Sequence, residues 1–173
     1  MDPDQRRRYE QATLPHLDAG YNLARWLTRD DHAAEDIVQE ACLRAAKYFG
    51  SFRGGDGRPW FLGVVRRVSF DWLAKRRAQA AVVYLDDVHD PGDESADPDF
   101  QAVRRCDVAE VRQALEDLPP PLREVVVLRE LEGLSYQEIS AVTEVPMGTV
   151  MSRLSRGRQQ LHRRLAAAGG GPG

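Results

Sequence analysis

SYQEISAVTEVPMGTVMSRLSRGRQQL, residues Ser135 to Leu161, decides the fold. Ser135 and Glu138 stand three residues apart, the spacing at which a cap hydroxyl accepts from the third backbone N–H while the carboxylate accepts from the cap's own N–H. A short helix therefore opens here and runs to about Val142. Thr143 to Pro146 interrupts it, and a second, longer helix starts near Met147 and runs to about Leu165. Its apolar side is Val150, Leu154, Leu161 and Leu165, with Gly157 on the same face allowing close approach. The other side carries Thr149, Ser152, Arg153, Arg156 and Gln160. Two helices joined by a brief turn, the second bearing hydroxyls and arginines outward, form a helix-turn-helix. An arginine can present two donors to O6 and N7 of guanine, and Ser or Thr can bond bases or phosphates. Arg158, Arg163 and Arg164, farther from the helix start, suit phosphates better than base edges.

Upstream, Val108, Val111 and Leu115 mark an amphipathic helix closed by Pro119, Pro120 and Pro121, and a further helix runs from about Leu122 to Leu131 before Gly133 lets the chain turn. From about Ala80 to Asp99, Pro91, Gly92 and Pro98 break any periodicity. Before that break, Ala34, Ile37, Val38, Ala41, Cys42, Ala45, Tyr48 and Phe49 recur on one helical face, with Asp30 or Asp31 as N-cap and Glu35, Asp36, Gln39, Glu40, Arg44 and Lys47 outward. Phe52 to Gly57 contains three glycines and must be a loop; Pro59 then suits the first turn of a helix whose apolar face is Phe61, Val65, Val68 and Trp72. An earlier helix around Tyr9 to Thr28, bent or interrupted at Pro15, completes a bundle. No segment alternates with period two. The expected fold is all-α: two small helical domains, residues 5–77 and 105–167, joined by a flexible acidic linker (78–104) and followed by a disordered glycine tail (168–173).

Charge is segregated. The net charge is −3, yet Asp86 to Asp99 holds seven acids and no base, whereas Met147 to Leu165 holds five arginines and no acid. Arg66, Arg67, Lys75, Arg76 and Arg77 face Asp71 alone between Trp60 and Arg77. Two basic helical segments flanking an acidic connector point to nucleic acid. No apolar run approaches the ~20 residues that span a bilayer, and the N-terminus lacks the apolar stretch of a secretory signal, so a cytoplasmic location is expected. Cys42 and Cys106 have no ligand spacing and read as reduced thiols, Cys42 as a packing residue. His16, His32, His89 and His162 are scattered. There is no phosphate loop and no nucleophile–base constellation, so neither catalysis nor a metal, cofactor or small-molecule substrate is expected.

Three stretches, in order, resemble the extracytoplasmic-function sigma factors of bacterial RNA polymerase. AEDIVQEACLRA (Ala34 to Ala45) is similar to that family's polymerase-binding helix. SFRGG (Ser51 to Gly55) with PWFLGVVRRVSFDWLAKRR (Pro59 to Arg77) is similar to its melting loop and −10 reading helix. LPPPLREVVVLRELEGLSYQEI (Leu118 to Ile139) with VPMGTVMSRLSRGRQQL (Val145 to Leu161) is similar to its −35 domain. The resemblance implies that Asp36, Gln39 and Glu40 face core RNA polymerase. It implies that Phe52, Arg53, Gly54 and Asp56 belong to a loop that holds a base flipped from promoter DNA. Arg66, Arg67, Lys75 and Arg76 then lie along the −10 element, and Thr149, Met151, Ser152, Arg153, Ser155, Arg156 and Arg158 along the −35 duplex. It also implies a cognate anti-sigma factor, often membrane-anchored, that can hold the chain at the inner membrane.

This sequence departs from the family pattern in places. Arg67 stands where asparagine is common, Met151 where a base is common, Ser155 where a larger side chain is common, and Glu144 where the turn usually has glycine. If that turn needs a left-handed residue, Glu144 carries strain. Trp60 and Trp72 read as core residues. A helix-turn-helix repressor or activator that works without polymerase shares the C-terminal pattern, as does a decoy that only binds an anti-sigma factor.

Overall fold

A computed structural model of the chain describes residues 1–84 and 107–169. The acidic stretch Asp86 to Asp99, Cys106 and the glycines after Gly169 lie outside the described residues. All regular structure among those described is helical, as expected. Of the two expectations at Pro15, a bend or an interruption, the structure has the interruption: α1 (Pro3–Thr13) and α2 (Leu17–Thr28) are separated by one tight turn over Leu14–His16. Asp2 caps α1 by accepting from Gln5 N at 2.8 Å. Asp30, rather than Asp31, caps α3 (Asp31–Lys47) by accepting from Ala33 N at 3.0 Å. The helix that Pro59 introduces, α4 (Gly57–Tyr84), runs on past Arg77 to Tyr84.

Helices α2, α3 and α4 pack around Leu23, Leu27, Ile37, Phe61, Leu62 and Val65, all with at most 2% of their surface exposed. Each such side chain contributes roughly 1.5–3 kcal/mol by leaving water. Trp60 and Trp72 are partly buried against this core, as expected. Helix α1 lies across the start of α4, and Gly57 is what lets it approach: a Cβ there would sit 2.4 Å from the Ala12 carbonyl oxygen. The Tyr9 hydroxyl also donates to the Cys42 carbonyl at 2.8 Å, tying α1 to α3.

The second module comprises α5 (Val108–Glu116), α6 (Pro120–Val126), α7 (Tyr136–Thr143) and α8 (Met147–Gly169). The helix expected over Leu122 to Leu131 loosens after Val126 into a wide turn, Val127–Leu131, in which Glu132 N donates to the Val127 carbonyl five residues back. Ser135 and Glu138 form the reciprocal cap that the sequence predicts, at 3.1 and 3.0 Å. Gly157 faces α6 so closely that a Cβ would lie 2.7 Å from Val126 Cγ2. The buried residues of both modules form one cluster, with α7 lying against α4 and α6 against α2.

The contact at Gly57 makes a stability prediction. Gly57→Ala drives a methyl into backbone, which cannot move aside as a side chain can, and lowers unfolding free energy by about 1–3 kcal/mol. Gly50→Ala, where nothing lies within 4 Å, leaves the unfolding free energy from urea titration within about 0.5 kcal/mol of wild type.

Candidate nucleic-acid interface

Helix α8 turns Val150 and Leu154, buried to 0% and 1% exposure, toward α6 and α7. That burial fixes its rotation. Met151, Ser152, Ser155 and Arg156 consequently face solvent, and Thr149 and Arg153 are half-buried at the edges. The Ser152 hydroxyl donates to the Thr149 carbonyl at 3.2 Å. Arg158, one turn on, is paired with Glu130 at 3.0 and 2.6 Å. The exposed face of the first three turns thus carries Ser152, Ser155 and Arg156 beside Met147 and Met151, and no acid. The turn into α8 has the strain the sequence raised: Glu144 is left-handed, φ 59° and ψ 35°, a geometry that costs a side-chain-bearing residue roughly 1–2 kcal/mol.

On α3, Ile37, Ala41 and Ala45 are buried, so Asp36, Gln39 and Glu40 stand in solvent. Glu40 accepts from Arg44 Nε at 2.9 Å, and Arg44 also donates to Asp71 at 2.9 Å. Leu43 lies on the same stripe as Asp36 and Glu40 with 69% of its surface exposed. The sequence reading missed it, although its seven-residue spacing from Asp36 puts it on that outward face.

The glycine loop is preceded by one tight turn, Phe49–Ser51, and contains two left-handed glycines, Gly54 (φ 89°) and Gly55 (φ 81°). Asp56 closes it by accepting from Arg58 N at 2.9 Å. Phe52 stacks on Phe49 (centroids 5.5 Å, 29°) and leans on Trp60 (5.1 Å), so it is a fixed, half-buried wall, while Arg53 beside it is exposed. Around the corner, a mainly apolar hollow of about 370 Å³ is lined by Tyr48, Trp60, Val64, Ser51, Arg44 and Arg67. Tyr48, which the sequence pattern assigned to the buried face, is 58% exposed.

The basic side of α4 divides. Lys75 and Arg76 are exposed; Arg76 lies over the Trp72 ring at 5.1 Å and 3.7 Å from Asp30. Arg66 and Arg67 instead meet the second module. Arg66 forms two bonds with Glu124, 2.7 Å from Nε and 3.1 Å from Nη2, and Glu124 is fully buried. Burial pushes the Glu124 carboxyl up from its ordinary value, opposed by Arg66 and, more distantly, Arg153. Arg67 pairs with Glu144 at the surface.

Comparison with known proteins bears on both modules. Residues 14–79 match the Sigma-70 region 2 family and residues 109–161 match Sigma-70, region 4. The ECF RNA polymerase sigma factor SigE of Mycolicibacterium smegmatis is 34% identical over 91% of the chain, which spans 62% of that relative's length. The RNA polymerase sigma-H factor of Pseudomonas aeruginosa is 32% identical over 79% of the chain and 75% of its own length. Among solved structures, the sigma factor RpoE in complex with the anti-sigma factor NepR from Bartonella quintana superposes with a TM-score of 0.71 at 28% identity, covering 91% of this chain and 96% of that one. CnrH, solved with the cytosolic domain of CnrY, shares the fold with a TM-score of 0.64 at 23% identity, over 94% and 90% of the two chains.

The seam predicts a pH-dependent mutant. Arg66→Ala leaves the Glu124 carboxylate buried without its partner and destabilises the chain by about 3 kcal/mol at neutral pH. Without Arg66 the folded-state pKa of Glu124 rises further above its unfolded value, so the folded form holds the extra proton. The loss then shrinks as pH falls through that raised pKa toward the ordinary carboxylate value and grows as pH rises. Urea titrations of wild type and Arg66→Ala at neutral and acidic pH read both effects; a pH-independent difference contradicts them.

Proposed function

The chain belongs to the sigma-70 family as an extracytoplasmic-function RNA polymerase sigma factor, and from that premise we propose that it docks on core polymerase through α3 and places its two modules on the −10 and −35 elements of specific promoters. Sigma factors of this family are non-enzymatic. The energy for strand opening in this reading comes from binding: bases that leave the stack are captured by the Phe52 loop, with aromatic and cationic groups supplying stacking and phosphate attraction.

The observation that carries the proposal is the rotation of α8. Burial of Val150 and Leu154 leaves Thr149, Ser152, Ser155 and Arg156 as an acid-free outward face at the start of a helix-turn-helix recognition helix, where base edges are read. The solvent-facing Asp36, Gln39 and Glu40, with exposed Leu43 beside them, supply a mixed polar and apolar surface of the kind that protein interfaces use. Lys75 and Arg76 are exposed and can follow phosphates along α4, Arg76 by leaving its surface contact with Asp30. Arg66 and Arg67 join them once the second module lifts away.

A regulator belongs to the proposal. RpoE was solved with the anti-sigma factor NepR, and CnrH with the cytosolic domain of CnrY. By analogy this chain works in the cytoplasm under an anti-sigma factor, and is held at the inner membrane where that factor is membrane-anchored. No helix among the described residues is long and apolar enough to cross a membrane.

Run-off transcription with core polymerase and a promoter library tests the reading. Wild type gives start-site-specific transcripts. Arg156→Ala loses affinity for its preferred −35 sequence by about 1–3 kcal/mol and relaxes selection at one position, whereas an Asp36/Gln39/Glu40→Ala triple variant loses transcription on every promoter alike. Specific duplex binding by the chain alone, with no transcript when polymerase is present, overturns the proposal in favour of an ordinary repressor or activator.

A further inference from the structure

Three consecutive arginines, Arg6, Arg7 and Arg8, lie in the first half of α1, and two are paired locally. Arg6 Nε lies 3.3 Å from Glu10, and Arg7 Nη2 lies 2.9 Å from Asp4. Arg8 makes no ion pair among the described residues; its guanidinium sits over the Phe49 ring, 5.8 Å from the centroid. That position puts it beside the glycine loop. Two cavities flank the Phe52 ring, and Arg8 lines both. The larger, about 330 Å³, adds Gln5, Lys47, Phe49 and Gly50; the smaller, about 200 Å³, adds Gln11, Gly54 and Gly55. No carboxylate is among the residues lining either one.

The placement of Arg8 is built in. Tyr9 is anchored by its hydroxyl on the Cys42 carbonyl and meets Phe49 edge-on at 5.8 Å. Farther along, Ala12 rests on Gly57, where no side chain fits. With both neighbours fixed, the flank of α1 bearing Gln5, Arg8 and Gln11 is held against residues 49–55. Across the two cavities the lining supplies aromatic rings, two cations and two amides, the chemistry of a single-stranded nucleic-acid site.

We propose that the cleft between α1 and residues 49–55 is a subsite for unpaired DNA. Arg8, with Lys47, holds the phosphate next to the nucleotide that the Phe52 loop captures, and Gln5 and Gln11 face the flanking bases. This rests on the capture role proposed for the loop and adds to it a helix whose basic residues otherwise serve only local pairs. A phosphate contact carries no sequence information. Arg8 therefore sets the affinity and salt sensitivity of strand capture, not the choice of base.

The test uses the full chain and a fluorescently labelled, random-sequence single-stranded DNA oligonucleotide, with anisotropy followed between about 50 and 200 mM salt. Arg8→Ala weakens binding several-fold for the whole pool and lowers the slope of log affinity against log salt by about 0.7, the value for one phosphate on a single strand. Arg8→Lys, which keeps the charge, restores most of the slope. Arg53→Ala and Phe52→Ala report on the loop itself, and the thermal melt of Arg8→Ala stays at the wild-type position because Arg8 is solvent-exposed. If Arg53→Ala or Phe52→Ala weakens binding and Arg8→Ala does not, the α1 subsite is wrong and the loop reading survives. If wild type fails to hold the strand at low salt, or none of the three variants weakens it, both are wrong.

Discussion

The arrangement of the two modules depends on one buried guanidinium. Arg123 is 4% exposed, and all five of its N–H groups are used: Nε on the Leu115 carbonyl, Nη1 on those of Trp26 and Leu27, Nη2 on those of Glu116 and Leu118, at 2.7 to 3.1 Å. These oxygens belong to the ends of α2 and α5 and the turn after α5, where helical carbonyls have no intrahelical donor and carry the negative end of the helix dipole. A single side chain therefore caps two helices from different modules. Burial lowers the pKa of Arg123 to about 10, which still leaves it charged at neutral pH. Apolar packing alone is compatible with several relative rotations of the modules; five directed bonds from a planar fork are compatible with one.

With α2 and α5 tied at that point, α7 comes to rest along α4. At Gly63 the two helices pass at ordinary contact distance, a Cβ there lying 3.8 Å from the Val142 carbonyl oxygen. The same docking brings Glu124 onto Arg66 and Glu144 onto Arg67. The two pairs differ in weight. Arg67 and Glu144 are each more than half exposed, so water and salt compete with them and their contribution is small. Arg66 and Glu124 are sequestered, and separating them requires rehydrating a carboxylate and a guanidinium together. That exchange is nearly balanced when both partners reach water and unfavourable only when one is left behind. A seam built this way resists the loss of one partner far more than it resists orderly opening.

The helices and the helix-turn-helix were legible because each is announced locally. Ser135 with Glu138, Pro59 after glycines, and Val150 with Leu154 need only their neighbours to be read. The seam was not, because its decisive residues look ordinary in sequence. Arg123 and Glu124 sit between Leu122 and Val125 like charges on any amphipathic helix, yet every residue from Leu122 to Leu128 is buried. A helix apolar on nearly all sides is enclosed on nearly all sides, and the run LREVVVL carried that signal. What it could not carry is the partner, since Trp26, Leu27 and Arg66 are 58 to 97 residues away. Tyr48 was missed for a different reason. Its spacing fits the apolar face of α3, but the helix ends at Lys47 and Tyr48 turns outward where the chain leaves the helical path.

The docked form is asymmetric in what it leaves open. The outward face of α8 and the acidic face of α3 are exposed, and so are Arg53 and the cleft beside Arg8. Of the α4 arginines, Arg58, Arg66 and Arg67 are the ones engaged with the second module, Arg58 through the Glu132 carbonyl at 3.3 Å. If duplex recognition by α8 and polymerase docking by α3 are both available before opening, as proposed, neither has to wait for the seam. In that reading phosphates along α4 compete with Glu124 and Glu144, the groups that Arg66 and Arg67 pair with here. A nucleic-acid strand can win that competition because it presents a run of charges and releases counterions as it binds, whereas each glutamate offers one. In the same reading the two carboxylates hold the arginines while no promoter is bound, and Glu124 keeps Arg66, the sequestered one of the two, from being left unpaired.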